Sequence, residues 1–95
     1  MGTGMKYKVL YHPDVKEKDL SVINNKIKSR IKNAIERRLM VDPVKYGDPL
    51  RKTLKGYWKL RVGDYRIVYK IENVNIFILG ICHRKEIYRK AELRI

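Results

Sequence analysis

Residues 59–69 read KLRVGDYRIVY, two runs of alternating side chains that meet at Gly63-Asp64. Gly-Asp between alternating runs predicts a two-residue β-hairpin turn of type II′, in which glycine supplies the positive φ. Val62 then pairs with Tyr65, Arg61 with Arg66, Leu60 with Ile67 and Lys59 with Val68. Side chains alternate faces along a strand, so Trp58, Leu60, Val62, Tyr65, Ile67 and Tyr69 share one face. Tyr57, Lys59, Arg61, Arg66, Val68 and Lys70 share the other. The first is a core face and the second is cationic.

Arg61 directly opposite Arg66 costs stability, because like charges across a ladder repel and a guanidinium cannot deprotonate. A sheet that keeps such a pair has a use for it. An anion between the two fits, since arginine matches phosphate geometry bidentately. The alternative is a longer turn or a slipped register that separates them.

Upstream, Lys6–His12 (KYKVLYH) alternates as a first strand, and Pro13-Asp14 suits the start of a helix. Leu20, Ile23, Ile27, Ile31, Ala34, Ile35 and Leu39 then fall at a 3.6-residue period. They form one apolar stripe on a helix or helix pair, with Lys26, Lys28, Arg30, Lys32 and Arg37 off it. Asp42-Pro43 ends the helical region, and Tyr46–Gly56 reads as loop. Downstream, Val74–Cys82 is a third strand of the meander, apolar on both faces and therefore the most covered. Arg84–Leu93 suits a short helix. The fold class is α+β: an N-terminal strand, a helical hairpin, then an antiparallel meander with a short C-terminal helix. A two-residue turn at Glu72-Asn73 would pair Ile71 with Val74 and Arg66 with Leu79. The cationic face would then run through Phe77, Leu79 and Ile81 to His83, gathering Lys59, Arg61, Arg66, His83, Arg84 and Tyr88.

Ninety-five residues make one domain. Residues 1–4, MGTG, precede a second methionine and read as an expression scar, leaving 5–95 as the domain. Lys and Arg total 23 against 10 Asp and Glu, a net charge of +13. Such a surplus favours a polyanionic partner. No apolar run is long enough for a membrane span, and no leader pattern opens the chain, so a cytoplasmic location without membrane association is expected. The single Cys82 lies in IFILGIC and reads as a buried small hydrophobe.

Two distant histidines, one cysteine and no carboxylate cluster leave no metal constellation, and no nucleotide-binding glycine motif is present. RNA cleavage needs neither a metal nor a cofactor. A ribose 2′-hydroxyl attacks its own adjacent phosphate once a base takes its proton, cations stabilise the crowded phosphorane, and an acid protonates the leaving 5′ oxygen. Lys59 suits the base, because neighbouring cations disfavour its protonated form. Arg66 and Arg61 would hold the phosphate, with Lys52 and Lys55 in the preceding loop as further phosphate-binding positions. His83 is the convenient acid at neutral pH and Arg84 its competitor. Tyr88 would stack on a base.

The run L-K-G-Y-W-K-L-R-V-G-D-Y-R-I-V-Y at residues 54–69, with G-I-C-H-R-K-E-I-Y at residues 80–88, resembles the RelE branch of the RelE/ParE toxin superfamily. The resemblance covers nearly the whole chain from Met5. It implies the toxin of a type II toxin–antitoxin pair, a metal-independent endoribonuclease that cuts messenger RNA at the ribosomal A site and so stops translation. By position it implies a catalytic lysine at Lys59, a phosphate-stabilising arginine at Arg66, a general acid at Arg84 or His83, and a base-stacking tyrosine at Tyr88. Two departures leave the acid open: Tyr57 stands where some members carry a second lysine, and the step from Arg84 to Tyr88 is short. The resemblance also implies an acidic RelB-like antitoxin, with messenger RNA and the ribosome as further partners and a monomeric free toxin. The ParE branch, whose members poison DNA gyrase, shares the fold. A basic nucleic-acid-binding module without catalysis is the third reading.

Overall fold

The computed structural model describes residues 7–95, so the expectations for residues 1–6, including the scar at 1–4, lie outside the described residues. Five strands form one mixed sheet in the order β1-β5-β4-β3-β2. These are β1 (Lys8–Tyr11), β2 (Asp48–Pro49), β3 (Tyr57–Val62), β4 (Tyr65–Glu72) and β5 (Asn75–His83). The meander β3-β4-β5 is antiparallel, and β1 joins β5 in parallel. That placement leaves β5 central and buried through Ile76 and Ile78–Cys82, as its double apolar faces require.

The helices before the meander cover one face. Val15–Asp19 continues through a tighter turn at Leu20–Val22, and a second, longer helix runs Asn25–Ala34 and on through Ile35–Leu39. The apolar stripe from Leu20 to Leu39 is therefore broken rather than continuous. Ile23 is extended, and the Asn24 side chain accepts a hydrogen bond from the Ile27 N–H at 2.9 Å, opening the second helix. Ile23, Ile31, Ala34, Ile35 and Leu39 still reach the same core, against Leu60, Ile67, Tyr69, Ile76, Ile78 and Ile81.

Asp42 caps a short helical turn at Pro43–Tyr46, accepting from the Lys45 N–H at 3.1 Å. The buried Tyr69 hydroxyl donates to the Pro43 carbonyl at 2.7 Å. Gly47 lets these parts close together, because a Cβ there would stand 1.8 Å from the Tyr69 hydroxyl. Within the stretch read as loop, Asp48-Pro49 pairs with Lys59 and Trp58 as the edge strand β2. A two-residue strand ending in proline carries almost no alternation to read.

The C-terminal helix, Ile87–Arg94, covers part of the other face. Ile87 and Ala91 pack with Leu54, Val68, Leu79 and Cys82 in a second core, so the face carrying Lys59 and Arg66 is apolar at its centre.

Candidate RNA-cleaving face

Gly63 takes φ +60°, and β3 and β4 pair as Val62–Tyr65, Arg61–Arg66, Leu60–Ile67 and Lys59–Val68. The two arginines do face each other across the ladder. Arg66 is braced there: its Nη1 donates to the Gly63 and Tyr65 carbonyls, each at 2.9 Å. Those carbonyl dipoles offset part of the repulsion from Arg61, which is exposed.

The second hairpin corrects the expected register. The turn lies at Asn73-Val74, with Asn73 at φ +57°, so Glu72 pairs with Asn75 and Ile71 with Ile76 rather than with Val74. Asparagine tolerates the left-handed region and glutamate does so poorly, which moves the turn one residue along. A bulge between Val68 and Tyr69 then leaves Leu79 as the extra residue on β5 and shifts the register again. It adjoins Gly80, where a Cβ would meet the Ile87 side chain at 3.1 Å and the Arg94 guanidinium at 3.2 Å. The bulge and the missing side chain let the C-terminal helix sit close.

Arg66 therefore opposes Cys82, not Leu79, and His83 opposes Tyr65. Phe77 and Leu79 are on the Lys59 face as expected, but Ile81 and His83 are not. Ile81 joins the first core, and the His83 ring packs edge-on against Tyr65 with 5.8 Å between centroids. His83 Nδ1 accepts from the Lys85 N–H at 3.2 Å, leaving Nε2 as its available nitrogen. Arg84 follows β5 by one residue. The Arg84 N–H donates to the Asp64 carbonyl at 2.8 Å, continuing the ladder by one step.

Tyr88, in the first turn of the C-terminal helix, leans over β3. Lys59 Nζ donates to the Tyr88 hydroxyl at 3.3 Å and lies 5.8 Å from the ring centroid. Lys59, Tyr88, Arg66 and Arg61 thus share one face, and Arg84 is tied by its backbone to the hairpin tip beside them. Lys52 and Lys55 are exposed on the loop ahead of β3, which is held to the C-terminal helix by Leu54 and by a hydrogen bond from Thr53 to Glu92. Among the described residues, no hydrogen bond or ion pair links Lys52 or Lys55 to Lys59 or Arg66.

Cys82, opposite Arg66, is 5 % exposed, and burial together with the nearby Asp19 carboxylate pushes its thiol up to about 12. It is held as the neutral thiol and packs as an apolar residue. Among the described residues, no group of three His, Cys, Asp or Glu stands close enough to hold a metal ion.

Two residues that hold this face were not legible as such. Arg94, in the last turn of the C-terminal helix, pairs bidentately with Asp19: Nη1 and Nη2 reach the two carboxylate oxygens at 2.8 Å each. Asp19 Oδ2 also accepts from the Ile81 N–H at 2.9 Å, and Arg94 Nη1 donates to the Leu79 carbonyl at 3.0 Å. Beyond Tyr11, where β1 ends, the pair supplies hydrogen bonds that a strand would otherwise give β5. Burial opposes ionisation of Asp19, but the Arg94 and Ile81 hydrogen bonds outweigh it and hold its carboxyl below the usual range. The pair joins helices on opposite faces of the sheet, and so fixes the helix that carries Tyr88. The available signal was spacing: Val15 and Asp19 are four residues apart, and Ile87, Ala91 and Arg94 follow i, i+4, i+7. Each buried stripe contains one charge of opposite sign.

The family model described as the ParE toxin of type II toxin–antitoxin system, parDE, matches residues 9–88. Toxin RelE of Mycobacterium tuberculosis is 34 % identical over 79 residues, 81 % of each chain. Toxin RelG of the same organism is 41 % identical over 51 residues, 52 % of this chain, and the match spans 59 % of RelG. The toxin–antitoxin complex RelBE2 from M. tuberculosis aligns over 88 % of this chain and 98 % of its own, with a TM-score of 0.78 and 27 % identity. The RelB–RelE antitoxin–toxin complex from Methanococcus jannaschii gives a TM-score of 0.65 at 28 % identity, over 84 % of this chain and 95 % of its own. A free mutant of Escherichia coli RelE, 19 % identical over 96 % of this chain and 99 % of its own, has a TM-score of 0.65 and shares the fold. On the evidence of its sequence and its fold, the chain belongs to the ParE toxin family of type II toxin–antitoxin systems, within the RelE/ParE superfamily.

Proposed function

We propose that the chain is a metal-independent endoribonuclease that cuts messenger RNA, within the ribosomal A site, and so stops translation in the cytoplasm. The observation that carries this reading is the contact of Lys59 with Tyr88 on the face that also bears Arg61 and Arg66. Lys59, once neutral, takes the proton of a ribose 2′-hydroxyl. The O2′–P bond forms as the P–O5′ bond breaks, with the negative charge on the phosphorane met by Arg66 and Arg61. O5′ takes a proton from Arg84 or from a water that Arg84 positions, leaving a 2′,3′-cyclic phosphate and a 5′-hydroxyl. Arg84 suits this role better than His83, because His83 lies on the Tyr65 face and the next residue of an extended chain turns the other way. Tyr88 orients Lys59 and presents an exposed ring for a base to stack on.

The neutralising partner in this reading is an acidic RelB-like antitoxin; the M. tuberculosis and M. jannaschii neighbours are themselves toxin–antitoxin complexes. A groove of about 410 Å³ between β1 and the long helix supports it. Val9, Leu20, Ile31, Ile35 and Met40 give that groove an apolar floor, and Lys16, Lys28 and Lys32, against the one carboxylate Glu36, give it a mainly cationic rim. It suits an amphipathic acidic segment.

The family description favours one rival, a gyrase-directed toxin. Primer extension on translated messages after induction separates the two. Discrete cuts within coding regions are expected; intact messages with damaged DNA would support the rival.

A further inference from the structure

A second groove, of about 270 Å³, lies on the other side of the β3 edge from the Lys59 face. Arg30, Arg37 and Arg38 of the long helix line one wall, and Arg61 lines the other. Arg30 and Arg37 are seven residues apart, two helical turns or about 10 Å along the axis. Asn33 lies between them. No carboxylate lines the groove, and among the described residues none of the four arginines takes part in an ion pair. Four unpaired guanidiniums around one opening repel one another unless an anion occupies it.

Two features connect the groove to the Lys59 face. β2 reaches only Trp58 and Lys59, so among the described residues no strand covers the outer edge of Leu60–Val62. Arg61 stands on that edge, both lining the groove and facing Arg66. The Arg30 guanidinium lies against the Gly63 turn, 3.5 Å from where a Cβ would stand, while Arg66 holds the carbonyl of the same glycine. Arg30, Arg61 and Arg66 therefore all stand at the hairpin tip, which also carries the exposed Asp64.

We infer that this groove is a phosphate-tracking subsite for RNA, binding the backbone of the strand, or of the structured RNA beside it, that occupies the Lys59 face. The inference rests on the ribonuclease reading for its ligand. Arginine forks match phosphate oxygens and carry no sequence preference. An acidic protein segment fits less well, because such a segment needs apolar anchors as well as charge. The groove offers Ala34 and Val62 as its aliphatic lining, whereas the groove beside β1 is floored with large apolar side chains.

The test is fluorescence anisotropy with a labelled RNA of about 20 nucleotides, longer than a single binding site and fully 2′-O-methylated so that it cannot be cut. Affinity is followed against salt for the parent, for Arg30→Gln/Arg37→Gln/Arg38→Gln, and for a control lacking charge on β1 and the first helix, Lys8→Gln/Lys18→Gln. The triple substitution is expected to weaken binding ~10-fold or more and to flatten the log–log salt slope by about 2, since each phosphate contact to a single strand contributes about 0.7. The control is expected to keep the parent slope. An unchanged slope in the triple variant overturns the inference, and so does an equal loss in the control, which would mean diffuse attraction. Weakened binding of poly-L-glutamate with RNA binding intact would assign the groove to an acidic protein and also overturn it. A parent that binds with the groove-dependent slope but never cuts an unmodified message on programmed ribosomes contradicts the ribonuclease reading and leaves the subsite standing.

Discussion

Lys59 Nζ lies 3.3 Å from the hydroxyl of Tyr88, a residue 29 positions away on a different element. The contact joins the meander to the C-terminal helix at the face where Arg66 is braced. Tyr88 is 37 % exposed, so the contact does little for the fold and much for the placement of Lys59. Tyr88→Ala is expected to lower RNA cleavage by roughly 5- to 150-fold, from lost base stacking worth about 1–3 kcal/mol. Its thermal melt should stay close to the parent's. Tyr88→Phe should retain most of the stacking and lose only the orientation of Lys59. Equal activity in all three proteins would remove Tyr88 from the site.

Arg66 is expected to separate activity from stability. Arg66→Ala removes a preorganised contact to the phosphorane and should cost about 3–4 kcal/mol of transition-state stabilisation, a fall of roughly 10²–10³ in rate. Folding stability should change by no more than about 0.5 kcal/mol, because lost hydrogen bonds to Gly63 and Tyr65 are offset by relief from Arg61. Single-turnover cleavage and thermal melts on the one variant check both. A large drop in melting temperature would make Arg66 a structural residue.

The Asp19–Arg94 pair gives the opposite signature. Asp19→Ala leaves the buried Arg94 with only its longer contact to the Asp14 carboxylate at 3.6 Å and takes the acceptor from the Ile81 N–H, so a loss of about 3 kcal/mol is expected. The pH dependence follows from the lowered carboxyl. The Asp19 contribution is fully present above the unfolded carboxylate pKa, about 3.8, and is lost as pH falls through the lower folded value. Melts across that acid range should show the parent losing stability more steeply than Asp19→Asn, which has no group to titrate there. Parallel curves would mean that the pair does not hold the C-terminal helix.

The pH–rate profile distinguishes His83 from Arg84. With Lys59 as base and Arg84 serving the leaving oxygen, the rate should rise with pH and level off, since a guanidinium stays charged throughout. His83→Gln should leave that profile unaltered, and Arg84→Ala should depress it at every pH. A bell-shaped parent profile whose falling limb vanishes in His83→Gln would restore His83 as the acid.

What the sequence disclosed depended on how local the signal was. The first hairpin was legible to the residue, because Gly63-Asp64 fixes turn and register together. The second was misread because Asn73 takes the positive φ and a bulge beside Gly80 adds a residue, and neither leaves a mark on the alternation of β5. The shifted turn left each residue on its face, and the bulge alone carried His83 to the other one. The parallel docking of β1 on β5, the edge strand β2 and the Asp19–Arg94 pair are contacts between residues distant in sequence. Only the lone charge on each apolar stripe hinted at the last of them. The groove of Arg30, Arg37, Arg38 and Arg61 was half visible, as helix charges off the stripe, but its second wall required the fold.

The central claim is a metal-free cleavage by the ribose's own hydroxyl, and the chemistry of the cut ends tests it most directly. Purified parent protein, in excess chelator, is incubated with ribosomes programmed with a labelled message, and the fragment ends are analysed. The account predicts 2′,3′-cyclic phosphate and 5′-hydroxyl ends, absent with Arg66→Ala and absent when the codon ribose in the A site carries a 2′-O-methyl group. Fragments bearing 5′-phosphates, or cutting that persists through the 2′-O-methyl group, would contradict it.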